Sequence, residues 1–131
     1  MRHVFILVFS FSSTLVFSQR QPWQAPHEAD TLKSSFPRTE ETLASGKQLY
    51  TSLCAVCHGP KGKGDGIGST ALIPKPANFL KPAFSGQPDG VLFWKISTGR
   101  PPMPSFKEVL TGEDIWAIIE YIRTLTKNSK K

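Results

Sequence analysis

Cys54-Ala55-Val56-Cys57-His58 constrains this chain more than any other five residues in it. C-x-x-C followed at once by His is the attachment signature of c-type haem. Two thiols at this spacing can add across the two haem vinyl groups, and the adjacent imidazole can hold the iron from a rigid base. A chain built this way must wrap a large apolar plate tied to its own backbone. The rival chemistries fit less well. A thioredoxin-type dithiol sits in a βαβ context, and no alternation of strand and helix patterns runs through this sequence. Zinc takes four ligands that can each turn towards the metal. Here the chain after residue 18 offers only Cys54, Cys57, the adjoining His58 and the distant His27 as Cys or His ligands. A disulfide between Cys54 and Cys57 would close a very tight loop and leave His58 unexplained.

With 131 residues there is room for one domain. Residues 1–18 stand apart from it as an expected signal peptide. Arg2 and His3 precede an apolar run from Val4 to Phe17, and Val16-Phe17-Ser18 suits cleavage before Gln19. As a helix that run reaches about 21 Å, short of the roughly 30 Å hydrocarbon core. Export to the periplasm or beyond, with no stable membrane insertion after cleavage, is the expectation. Residues 19–38 carry Pro22, Pro26 and Pro37, mixed charge and no apolar period, which reads as an extended arm or linker. Trp23 is its only tryptophan, free to pack on the domain or lie exposed. Residues 39–127 make the domain, and 128–131 a basic tail.

Inside the domain the periodicity is helical. Leu43, Gly46, Tyr50 and Leu53 recur at three- and four-residue steps, predicting a helix that runs into Cys54. Gly46 costs such a helix roughly 1 kcal/mol, for which a close helix–helix crossing is a motive. A shorter helix is predicted from about Pro88 through Ile96, stopped by Gly99. Thr111-Gly112-Glu113-Asp114 holds an N-cap and first-turn acids. Ile115, Ile118, Ile119, Ile122 and Leu125 then form one wide apolar stripe. No segment alternates as a strand does. The fold expected is all-α, with three main helices around one covalently held haem, because so small a domain needs a staple beyond its own core.

The glycine-dense run from Gly59 to Gly68 follows a helix and lacks the βαβ surroundings of a phosphate loop. Its glycines instead suit a backbone turning tightly beside the haem edge. For the sixth iron position, Met103 is the one methionine left after residues 1–18, and it stands in a loop stiffened by Pro101, Pro102 and Pro104. His27 is the competing ligand, and an open position is the third possibility.

Charge points to partners. The chain carries 16 Lys plus Arg against 10 Asp plus Glu. Losing Arg2 with the signal segment leaves a net charge of about +5. Lys61, Lys63, Lys75, Lys81, Lys95 and Lys107 are scattered singly, which argues against nucleic acid. Redox partner proteins with acidic docking surfaces fit this balance.

Over Leu43 to Leu125 the chain resembles the monohaem class I c-type cytochromes, including small bacterial ones and oxidase-associated cytochrome c domains. The likeness rests on a Gly-x-x-x-Tyr helix, C-x-x-C-H-G, a Met-Pro loop and a last helix ending Ile118-Ile119-Glu120-Tyr121-Ile122. It implies a covalent haem c through Cys54 and Cys57, with the iron between His58 and Met103. It also implies first and last helices crossing at Gly46 near Tyr121. A carbonyl from a proline-containing loop around Pro74 or Pro76 would orient the His58 ring. The role implied is a single-electron carrier rather than an enzyme. Alternatives are a haem c subunit admitting electrons to a periplasmic oxidoreductase, or a haem-based sensor or peroxidase if the distal position is open.

Overall fold

Thr39 starts the first helix by a reciprocal cap. Its Oγ1 accepts from the Thr42 N–H at 3.1 Å, and Thr42 Oγ1 accepts from the Thr39 N–H at 2.9 Å. The computed structural model describes residues 22–128. The expected signal peptide, residues 19–21 and the tail beyond residue 128 lie outside the described residues. Five α-helices follow in order: α1 Glu40–Leu49, α2 Ala55–His58, α3 Pro82–Ser85, α4 Asp89–Thr98 and α5 Gly112–Asn128. No strand occurs among the described residues, so the all-α expectation agrees with the architecture.

The expected helix into Cys54 is continuous but not uniform. After α1 the chain widens into a π turn over Tyr50–Cys54 before α2 carries it to His58. Such turns occur mostly as single insertions at functional sites, and this one lies directly before the two cysteines. α4 ends at Gly99, whose φ of +65° reverses the chain without a Cβ penalty. Before α5, Asp114 and Thr111 cap each other, with bonds of 2.9 and 3.1 Å.

α1 and α5 cross where Gly46 meets Ala117. A Cβ at Gly46 would run into the Ala117 carbonyl, so only glycine allows this approach. Tyr121 pairs one turn further along, with Tyr50, at 5.2 Å between ring centroids. Tyr50, Ile115, Ile118 and Ile119 are the largest side chains fully buried in the core this crossing creates. Arg123 locks α5 to the α3–α4 corner. Its Nε donates to Asp89 at 2.7 Å, and its two Nη atoms donate to the carbonyls of Ser85 and Gln87.

In its described part, the segment read as an arm does not trail away. A 3₁₀ turn over His27–Thr31 buries Ala29 to 2 % exposure. Gly90 of α4 lies so close beneath that a Cβ there would strike the Ala29 carbonyl. Prolines and one short turn leave no periodicity to read, which is why this packing has no signature in the sequence.

Candidate functional site

Cys54, Cys57, His58 and Met103 all line one cavity of about 250 Å³. An adjoining cavity of about 120 Å³ shares Cys54, His58 and Met103 with it. Four residues singled out from the sequence are thus brought together. His27 is not. Its side chain is 91 % exposed, lies 3.8 Å from Asp30 and does not reach the cavity wall. Among the described residues no group of three or more His, Cys, Asp or Glu could hold a bare metal ion. The zinc reading therefore lacks its fourth ligand.

The end of α2 sets the His58 wall. His58 Nδ1 lies 3.2 Å from the carbonyl of Ala77, directly after Pro76. A carbonyl can only accept, so the ring proton belongs on Nδ1 and the Nε2 lone pair is left for a metal. Burial lowers the His58 pKa and the Ala77 bond opposes part of that shift, so the neutral ring is favoured. Phe79 stacks on the same ring at 4.6 Å between centroids. Below it, Tyr50 Oη donates to the Gly59 carbonyl at 2.6 Å. Burial, above all, raises the Tyr50 pKa and keeps that donor protonated. The chain then turns on Gly59 and Gly64, both at positive φ, and the Gly64 N–H donates to the His58 carbonyl at 2.8 Å. This is the tight turn that the glycine-dense run foretold.

Both cysteines are free thiols. Burial, and then Cys57, push the Cys54 pKa up to about 12. Reactive thiols depend on a lowered pKa, so Cys54 lacks the character of a thioredoxin-type nucleophile. The loop after α4 supplies Met103 to the same lining. Met103 N–H donates to Arg100 O at 2.9 Å, and Ser105 Oγ fixes the far side on Ser97 O at 2.6 Å. Leu53, Leu72, Pro74 and Phe106 add apolar surface to the lining, and Lys75 and Arg100 are the charged residues in it.

These residues fit a haem joined through two thioethers. Two thiols, a neutral imidazole and a thioether line the same space, and most of the side chains around them are apolar. Sequence reasoning located the proline loop but not Ala77 or Phe79. Ala77 acts through its main chain, which any residue supplies, and Phe79 stands in no periodic pattern. Trp23 also lines both cavities.

Comparison with known proteins accords with this geometry. The family described as cytochrome C oxidase, cbb3-type, subunit III, matches residues 41–122. The chain is 28 % identical to cytochrome c6 of Picosynechococcus sp. over 103 residues, 72 % of this chain and 82 % of that one. It is 26 % identical to cytochrome c6 of Cladophora glomerata over 95 residues, 69 % of this chain and 96 % of that one. Among solved structures, it resembles a chain of the Kuenenia stuttgartiensis reducing HAO-like protein complex Kustc0457/Kustc0458. The TM-score is 0.62 at 28 % identity, covering 83 % of this chain and about half, 53 %, of that one. The KustC0563 c-type cytochrome gives a TM-score of 0.51 at 30 % identity, covering 61 % of this chain and 95 % of that one.

Proposed function

The chain belongs to the family of the cbb3-type cytochrome c oxidase subunit III, and from that premise we propose that it is an exported single-electron carrier with His58 and Met103 as the axial ligands of its haem c. The haem c itself, with its iron, and the small monohaem cytochrome fold follow from the family and from the cytochrome c6 relatives. Electron transfer rather than enzymatic turnover is the role that goes with them. One observation carries the finer reading: both thiols, the His58 imidazole and the only methionine among the described residues line a single cavity.

Bound haem supplies a reversible one-electron couple, and the rest is the work of the chain. Ala77 and Phe79 hold the His58 ring in one tautomer and one orientation. Met103 would hold the iron as its second protein ligand, which would deny the iron to small ligands and raise the reduction potential relative to harder donors. Apolar walls limit the rearrangement of water as the charge changes. Among the described residues no helix is long and apolar enough to cross a membrane, which is compatible with export after cleavage near residue 18. Lys61 and Lys63, exposed beside the His58 wall, suit an acidic partner.

A second reading has its own support. The likeness to the HAO-like complex spans more of this chain than the likeness to KustC0563 does. This chain would then be a haem c subunit passing electrons within an oxidoreductase assembly. Carbon monoxide distinguishes closed from open iron: the reduced, purified protein is expected not to bind it. Binding at full occupancy would mean an open distal position and a sensor or peroxidase role instead. Co-purification from the exported fraction separates carrier from subunit, a stable stoichiometric partner indicating the latter.

A further inference from the structure

The family match begins at residue 41, yet a residue well before it reaches the cavity. Trp23 lines both compartments, together with Cys54, His58 and Met103. Its ring is clasped from the domain side. Trp94 of α4 packs against it at 6.5 Å between centroids, Lys95 Nζ lies 5.5 Å from the ring centre, and Arg100 Cζ lies 5.2 Å from it. Cation–π contacts strengthen when the cation is desolvated. Lys95 is desolvated enough to have its pKa lowered, by burial first and then by Arg100. Gln87 accepts from its Nζ at 2.6 Å.

The remainder of the segment is anchored at separate points. Ala29 is buried against Gly90, and a Cβ on Gly90 would lie 2.7 Å from the Leu32 carbonyl oxygen. Arg38 closes the far end on Glu120 of α5 at 3.5 Å. The likeness to the HAO-like complex covers 83 % of the chain, more than residue 41 to the C-terminus could supply. Part of the sequence before the family domain therefore has a counterpart there.

We propose that residues 22–38 are a strap belonging to the cofactor site, with Trp23 as the wall that keeps water and the Lys95–Arg100 charges in fixed relation to the haem. The consequence concerns the reduction potential. The oxidised site carries one more positive charge than the reduced one, so admitting water favours oxidation. Two nearby cations disfavour oxidation, and hydration would screen them. Losing the Trp23 ring therefore shifts the potential downward on both counts, since exposure and local charge are among the quantities that set it.

The experiment uses the full-length holoprotein with Trp23→Ala, Trp23→Phe and Gly90→Val, the last acting outside the cavity. Trp23→Ala is expected to change the equilibrium constant for reduction about tenfold against reduction, ~59 mV for a one-electron couple. Trp23→Phe, still apolar and aromatic, should restore most of it. Gly90→Val should lift the strap, giving faster hydrogen exchange at Ala29 and Leu32 and the same downward shift. Haem content and the low-spin absorption spectrum should stay at parental values throughout. That spectrum also reports the Met103 ligation separately, so failure of one reading does not hide in failure of the other. A parental potential in haem-replete Trp23→Ala overturns the proposal, whether or not Gly90→Val accumulates.

Discussion

On the His58 wall the ring is held by a carbonyl at 3.2 Å and an aromatic face at 4.6 Å, both from the 77–79 segment. Met103, in the same cavity lining, is positioned by the backbone bonds of its loop and by apolar packing against the core. One wall is specified by a main-chain carbonyl and an aromatic ring that both act directly on His58. The other is specified by where α4 ends and α5 begins. A thioether accepts hydrogen bonds only weakly, so nothing directional is available to aim Met103. The first wall should therefore govern whether the cofactor is kept, and the second how its iron behaves.

The comparison breaks most visibly at the thiols. In the purified holoprotein, acid–acetone treatment should leave the haem on the polypeptide, because thioethers survive what coordination bonds do not. Replacing Cys54 and Cys57 together by serine should abolish covalent haem, measured as loss of haem stain on a denaturing gel. A single replacement should weaken attachment. Full colour on the doubly substituted chain would mean that attachment lies elsewhere.

Next come paired substitutions on the two walls. Phe79 is 3 % exposed and touches both Tyr50 and Phe84 as well as His58. Phe79→Ala should cost about 3–5 kcal/mol of stability in denaturant unfolding, while the sulfur-to-iron charge-transfer band remains. Met103→Ala should do the reverse. The haem stays attached and the fold is only modestly weakened. The charge-transfer band disappears, the potential drops and reduced iron binds carbon monoxide. A parental spectrum after Met103→Ala would remove Met103 from the iron.

The same division explains what could be read without coordinates. Cys54, Cys57 and His58 declare themselves because their chemistry depends on local spacing. Gly46 and the Ile115–Ile122 stripe do so because helical periodicity reports a buried face. Met103 was found by elimination. The π turn at Tyr50–Cys54 left no trace, since a single inserted residue is invisible in so short an apolar pattern. For Trp23 the sequence leaves packing and exposure equally open. Between two prolines it looked like part of a linker, and its real neighbours Trp94, Lys95 and Arg100 lie far along the chain, joined to it only by tertiary packing.

The smallest effect concerns the rims of the two walls. Lys61 and Lys63 stand exposed on the glycine turn beside His58, with no ion pair at either among the described residues. Lys107, on the Met103 side, already sits 3.8 Å from Glu108, and Lys75 donates to the carbonyls of Ser69 and Thr70. If an acidic partner docks, the His58 rim should therefore contribute more than the Met103 rim. Steering of this kind is screened over about 8 Å at physiological salt, so electron transfer to the natural acceptor should slow as ionic strength rises. Reversing Lys61 and Lys63 to glutamate should slow it roughly tenfold at low salt, about 1.4 kcal/mol in barrier terms, with the haem spectrum unchanged. Reversal of Lys107 also frees Glu108 from its partner, yet the loss there should be smaller, because that charge was partly neutralised from the start. Stopped-flow rates across a salt series decide the matter. Equal losses at both rims would mean that net charge, not the His58 rim, steers the encounter, and a rate flat in salt would reduce these lysines to a solubility role.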